Sequence, residues 1–502
     1  MRTRSGKLLL NSLYSLTGWL APILLGLFAT PFVLKHIGVE SYGVYIVILG
    51  FVGYSFAFNL SRSVAKFVAE YRTSGDVEKI NSVIASAFWL NCSIGLFGAI
   101  VVGVSAKWVV GDVLQISPQY REAATFALIV GGISIPVTLI GQVFQSILQG
   151  EQGFGALSVI TNLSSLLING GNVGLAAMGF GVDALLLWTL VVVAITAGLS
   201  YIASARLAPD IGVKLKASTD MMRPVLSYGA SLFVYQACGG ILLLFERALV
   251  MRKFGGEVAS FYFVPMTLAI YFHGFVVSVL AAAFPVMNEL LGDEGRLTIL
   301  YEKSTKVVIV LTVPFLVTIF FGGRVFLTLW IDQEFAIKAS WLFFLHAATF
   351  GMMVLTLATW QLNETFNKPS LNAWVTVLSS ATAIVLMLLL ADRWRAEGVA
   401  LSRMLGVAMM LPMILYSEKR FLPDLRGNGW LGVFLRVLPS AVVLILMEYA
   451  LFRFVPPSWV TFIVGTLVCT LAYGAMLFIT RFITADEKVI ISRFLKLKGT
   501  AA

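Results

Sequence analysis

The sequence predicts an all-α polytopic membrane protein of about 14 transmembrane helices, arranged as two parallel six-helix lobes plus two extra C-terminal helices. Three observations lead there. Of 502 residues, 59% are hydrophobic and 12% charged, with a mean hydropathy of +0.90; soluble domains carry about 25% charged residues. Apolar stretches of about 20 residues recur from end to end between short polar joints, the pattern of spanning helices and not the alternation of a barrel. Third, one stretch is written twice. VLKHIGVESYGVY (33–45) aligns without a gap on VMRKFGGEVASFY (250–262), placing Val33, Gly38, Glu40 and Tyr45 on Val250, Gly255, Glu257 and Tyr262. The same offset, 250 minus 33 or 217 residues, carries Gly75-Asp76 onto Gly292-Asp293, Lys79 onto Arg296, and Gly181-Val182 onto Gly398-Val399. Recurrence at one spacing marks an internal duplication.

Hydropathy places spans at roughly 9–34, 42–69, 82–106, 122–148, 156–178, 183–205, 225–251, 258–288, 304–326, 335–361, 370–391, 396–416, 431–452 and 458–480. The basic start MRTRSGK precedes an apolar run too long for a signal peptide, so the first span is read as retained. With the N-terminus inside, the inside joints and termini hold more than twice as many Lys and Arg residues as the outside joints. That bias puts both termini in the cytoplasm and leaves no basic patch that needs nucleic acid to explain it. Arg252 and Lys253 run against the trend.

Copies that begin at spans one and seven are six spans apart. An even number restores orientation, so the repeats are parallel. The expected domains are a first lobe over 1–205, a cytoplasmic linker over 206–224, a second lobe over 225–416, two added helices over 417–480 and a basic tail over 481–502. In the tail, TADEKVIISRFLKLKG (484–499) reads as an interfacial amphipathic helix on the anionic inner leaflet. Pro22, Pro31, Pro136, Pro265, Pro285 and Pro314 interrupt spans, where neighbouring groups or cavity water must satisfy the freed carbonyls.

Enzyme chemistry is not legible. No phosphate-binding G-x-x-x-x-G-K-[ST], H-E-x-x-H or G-x-S-x-G motif occurs, and no joint is long enough to fold as a separate catalytic domain. His36, His273 and His346 are scattered, and Cys92, Cys238 and Cys469 lie in apolar stretches without CxxC spacing. The expectation is therefore no catalytic residue, no metal and no cofactor. Energy for transport would come from a coupling ion, proton or sodium, or from the membrane potential.

Charges inside spans are costly, about 2.5 to 3.5 kcal/mol at the bilayer centre on insertion scales, so they face partners or wet cavities. Asn59, Arg62, Lys66 and Glu70 line one face of span two at helical spacing. Lys66 and Glu70 can reach the headgroups, whereas Arg62 lies about two turns deeper. Span seven holds Glu246 and Arg247, and span twelve holds Arg403 at similar depth. One reading is structural neutralisation, Glu246 with Arg403 or with Arg247. The other makes the guanidinium groups anion stations, since their fixed charge and forked donors suit phosphate. Glu448 in span thirteen is expected to pair with Arg453, and Asn169, Asn172 and Gln236 to act as helix-packing groups. None of these charges is duplicated: Arg62 falls opposite Val279, and Glu246 and Arg247 opposite Ala29 and Thr30.

The opening NSLYSLTGWLAPILLGLFATPFVLKHIGVESYGVYIVILGFVGYSF, followed by NLSRSVAKFVAEYRTSGDVEKINSVIASAF, resembles the lipid-linked oligosaccharide (O-antigen type) flippases. These form the polysaccharide-transport branch of the multidrug/oligosaccharidyl-lipid/polysaccharide exporter superfamily. The wording matches over the first three spans, and span count and lobe duplication extend it over the chain. The resemblance implies two lobes around a cavity that opens alternately to either side, with spans thirteen and fourteen extending a groove for a polyprenyl tail. It implies an undecaprenyl-diphosphate-linked glycan as cargo, moved to the outer leaflet of the bacterial inner membrane. Arg62, Arg247 and Arg403 are the candidates to meet the diphosphate, with Lys66 and Asn59 beside Arg62 and Glu246 as charge partner or coupling group. They are chosen by position and chemistry, not by a matched motif. The competing readings are a multidrug or organic-cation antiporter of the same superfamily, a lipid-II-type flippase, and a membrane enzyme acting on polyprenyl-linked sugars.

Overall fold

A backbone in hydrocarbon has no water to bond, so each spanning segment must satisfy its own N–H and C=O groups. The computed structural model describes residues 4–55, 61–212, 219–280, 283–425 and 429–483, and these are overwhelmingly helical, with no strand among them. The helices are α1 (Arg4–Ile37), α2 (Val39–Ser55), α3 (Ser61–Ser74), α4 (Val77–Trp108), α5 (Pro118–Gly150), α6 (Phe154–Ala177), α7 (Val182–Leu207) and α8 (Thr219–Leu280). They continue as α9 (Ala283–Glu289), α10 (Glu294–Trp330), α11 (Gln333–Leu355), α12 (Leu357–Thr365), α13 (Pro369–Ala408), α14 (Leu411–Phe421), α15 (Trp430–Phe454) and α16 (Thr466–Ile479). Among the described residues, eleven stretches are long and apolar enough to cross a membrane, and Val39–Tyr54 is a shorter apolar helix. Two of the eleven are broken inside, at Gly255 (φ 79°) in α8 and at Trp394-Arg395 (Arg395 φ 50°) in α13. Divided there, the eleven stretches make thirteen rods, and Val39–Tyr54 adds a fourteenth among the described residues; the all-α polytopic reading holds. The tail segment 484–499 and linker residues 213–218 lie outside the described residues.

Packing groups the chain into two compact units, Met1–Ser278 with Asn372–Gly406, and Val279–Leu371 with Val407–Ala502. In the first, Val64 and Val68 of α3 meet Ile80, Val83, Ile84 and Ala87 of α4 and Val143, Phe144 and Ile147 of α5. Small residues let these helices approach where lipid offers no hydrophobic drive. A Cβ on Gly95 would strike Pro136, and one on Gly150 would strike Val68. Pro22, Pro31 and Pro136 are carried inside continuous helices. In the second unit, Ile309 of α10 packs with Val433, Val437 and Leu444 of α15 and Cys469, Tyr473 and Leu477 of α16. There Glu418 accepts from the Tyr301 hydroxyl (2.9 Å) and the Trp430 amide (2.7 Å), a carboxylate set at the start of α15.

The sequence repeat reappears as repeated local geometry. Gly38 and Gly255, aligned at offset 217, take φ 87° and 79°; Gly75 and Gly292 take 69° and 105°. These are left-handed values that a Cβ disfavours. Asp76 accepts from the Lys79 amide at 3.0 Å and Asp293 from the Arg296 amide at 3.1 Å, each capping the next helix. The capped cation returns to the same carboxylate in both copies, at 2.9 Å for Lys79 and 3.4 Å for Arg296. The hydrogen bonds from the Lys79 side chain and amide hold the Asp76 carboxyl below its usual range.

Gly255→Ala is expected to destabilise the protein by about 1–2 kcal/mol, because no atom crowds the site and the cost is the left-handed backbone itself. Gly174→Ala, inside α6 with open space around it, should instead stabilise by about 0.5–1 kcal/mol. Thermal unfolding of purified protein in detergent compares them; equal midpoints would contradict the backbone argument.

Candidate functional site

The first unit buries charge. Glu246 is 0% exposed, and Arg247 and Arg403 are each 5% exposed. Glu246 and Arg247 come from the first rod of α8, and Arg403 from the second rod of α13. Past the Gly255 break, the second rod of α8 supplies Tyr262, whose hydroxyl donates to Glu246 Oε1 at 2.5 Å. Arg403 Nη1 donates to Glu246 Oε2, closing a buried ion pair. Of the two neutralisations open from sequence, the structure selects Arg403.

Arg247 is held differently. Its guanidinium lies 4.7 Å from the centre of the Tyr54 ring and 4.8 Å from that of Phe263, and Nη1 donates to the Leu243 carbonyl at 3.3 Å. It makes no ion pair among the described residues, and its Nε has no hydrogen-bond partner among them. Gly50 of α2 makes the room, since a Cβ there would run into the guanidinium. Aromatic faces give a desolvated cation about 2 kcal/mol each, less than burial costs it. Among the described residues the group brings together the guanidiniums of Arg247 and Arg403 and the carboxylate of Glu246, a net charge of +1 for these three side chains. Arginine does not discharge in proteins, so the excess positive charge stays.

The other sequence candidates do not join this group. Asn59 lies outside the described residues, and Arg62 is on α3 by its backbone with its side chain outside the description. Lys66 is exposed, 5.1 Å from the Phe67 ring centre, and Glu70 is exposed too. Lys253, which ran against the charge bias, pairs with Asp392 at 2.5 Å. Asn172 donates to the Tyr45 hydroxyl at 3.0 Å, a packing role as expected. The expected Glu448–Arg453 pair is corrected: Glu448 accepts from Thr318 Oγ1 at 2.9 Å, and Arg453 is exposed. Sequence reasoning also missed Tyr54, Phe263, Gly50 and Tyr262 as site residues. Tyr262 was in view as the repeat partner of Tyr45, and both copies spend the hydroxyl on a buried side chain.

Removing one partner of a buried ion pair leaves the other uncompensated. Glu246→Ala should therefore cost about 3–5 kcal/mol, and the apolar double variant Glu246→Leu/Arg403→Met should recover most of it. Unfolding midpoints in detergent read both; a double variant as unstable as the summed single variants would contradict the pairing.

Among curated proteins, a protein of Shigella flexneri provisionally described as an O-antigen transporter is 21% identical over 398 residues, covering 78% of this chain and 93% of that one. EpsK, an uncharacterized membrane protein of Bacillus subtilis (strain 168), is 22% identical over 98% of this chain and 99% of its own. Among solved structures, the lipid II flippase MurJ in an inward closed conformation aligns with a TM-score of 0.69 at 15% identity, over 93% of this chain and 98% of that one. An inward-facing multidrug resistance MATE transporter of the MOP superfamily aligns with a TM-score of 0.65 at 15% identity, over 83% and 95%. These two likenesses establish the fold. Residues 76–336, just over half of the chain, match the family described as polysaccharide biosynthesis protein. With that match over more than half of its length, and with its many helices fit to cross a membrane, the chain belongs to the family described as polysaccharide biosynthesis protein and is a multi-pass membrane protein.

Proposed function

We propose that this protein moves an undecaprenyl-diphosphate-linked oligosaccharide from the cytoplasmic to the outer leaflet of the bacterial inner membrane, for surface polysaccharide synthesis. The observation that carries this reading is the buried group at Glu246, in which Glu246, Arg247 and Arg403 sum to one positive charge and Arg247 makes no ion pair among the described residues. An anionic headgroup 4 Å from such a guanidinium gains about 4 kcal/mol at an effective dielectric near 20, against about 1 kcal/mol for a neutral hydrogen bond. Charge therefore dominates recognition, and its sign favours a diphosphate. An organic cation, the cargo of the antiporter reading, would be repelled by the same group.

Arg247 is covered by Tyr54 and Phe263, so the headgroup reaches it when these rings part. That requirement fits alternating access, in which Arg62, with Lys66 and Asn59, serves first capture on the cytoplasmic side and Arg247 and Arg403 serve the later station. Glu246 keeps Arg403 in place meanwhile. Both termini lie in the cytoplasm on this reading, and no covalent chemistry is required of the protein. A coupling ion or the membrane potential supplies direction. A lipid-II-type cargo shares the diphosphate and differs in its glycan.

Mass spectrometry of polyprenyl-linked glycans from cells lacking the gene tests this. A complete lipid-linked repeat unit should accumulate while the matching surface polymer is lost. Complementation with Arg247→Gln should restore less than about a tenth of the polymer at normal membrane abundance, a loss of 1.4 kcal/mol or more. An unchanged lipid profile with new sensitivity to cationic dyes would overturn the flippase reading in favour of drug export.

A further inference from the structure

Glu448 of α15 is also 0% exposed, but its setting is opposite to that of Glu246. It receives one hydrogen bond, from Thr318 of α10 to Oε1, and its Oε2 meets no donor among the described residues. The elements around it offer little charge. From α16 come the Cys469 thiol, within electrostatic reach, and Tyr473, whose hydroxyl also lacks a partner among the described residues. The π-helical turn Thr461–Gly465 carries no titratable group. On α10, Lys306 is taken by Glu302 at 3.4 Å and lies over the Phe482 ring, and Arg324 is exposed. On α15 itself Arg436, Tyr449 and Arg453 are exposed. The segment is closely seated, since a Cβ on Gly322 would strike Phe452 and one on Gly465 would strike Leu451.

An ionised carboxylate buried without a cation is far costlier than the neutral acid. Because Thr318 donates to Oε1, an acid proton belongs on Oε2. We propose that Glu448 is a proton-binding site, holding a proton on Oε2 in the packed arrangement and releasing it to water only when α15 parts from α10. Proton release and local opening are then one event, a ligand and a site outside the Glu246 group. A sodium ion fits less well, because no second carboxylate joins Glu448 in a group that could hold a metal ion among the described residues. The assignment rests on the surroundings of Glu448 and stands whatever the cargo.

The test uses full-length protein in lipid nanodiscs and an apolar carbodiimide, which reacts with carboxylic acids in apolar surroundings. The acid proton passes to a carbodiimide nitrogen as the carboxylate oxygen adds to the central carbon, and an acyl shift leaves a stable N-acylurea with nothing expelled. Peptide mass spectrometry should find the adduct on Glu448 and not on arginine-paired Glu246, falling about tenfold per pH unit once the group discharges. Glu448→Gln should lose it and Glu448→Asp keep it. Infrared difference spectra of wild type and Glu448→Gln should show, independently of reagent access, the carbonyl stretch of one protonated acid at acid and neutral pH. Absence of that band would overturn the proposal. So would protection of Glu448 by sodium at fixed pH, which would make the site a cation site.

Discussion

A charge carried into hydrocarbon must find its partner inside the protein, and Glu246 shows how much structure that demands. Its two oxygens are served by Tyr262, across the break in α8, and by Arg403, more than 150 residues away in sequence. The neighbouring Arg247 pairs with no carboxylate among the described residues and is held by the faces of Tyr54 and Phe263 over Gly50. One ion pair thus fixes how α2, both rods of α8 and the second rod of α13 meet within the first unit. It also fixes the sign of the charge left over, and the functional reading depends on that sign.

The duplication and the chemistry live on different layers of the sequence. What repeats at 217 residues is backbone: paired left-handed glycines at Gly38 and Gly255 and at Gly75 and Gly292, and paired aspartate caps at Asp76 and Asp293. What does not repeat is intramembrane charge. A duplicated scaffold tolerates this because turns and caps are set by a few local residues, whereas a buried charge needs partners from distant helices. Tyr45 and Tyr262 mark the boundary between the layers: the same residue at the same register serves Asn172 in one copy and Glu246 in the other.

The spans, their number and the repeat were legible because they are written in local patterns of about 20 apolar residues and in glycines at fixed places. Partner choice was not. Glu448 and Arg453 look suited on paper, yet five residues at about 100° each put them roughly 140° apart around a helix. Glu448 turns instead to Thr318, a residue only tertiary packing brings near. The choice of Arg403 over Arg247 follows the same logic, as adjacent residues point to different faces. Tyr54 and Phe263 were invisible as site residues because an aromatic in a span is usually packing, and only the guanidinium between them gives them another meaning.

On the proposed function, the buried guanidinium of Arg247, outside any ion pair among the described residues, recognises a diphosphate. The most direct measurement is the thermal stabilisation of purified protein by undecaprenyl diphosphate, compared with undecaprenyl monophosphate, for wild type and Arg247→Gln. The account predicts that wild type is stabilised more by the diphosphate than by the monophosphate, and that Arg247→Gln loses this difference while keeping its unliganded midpoint. Equal stabilisation of both proteins by the diphosphate would contradict it.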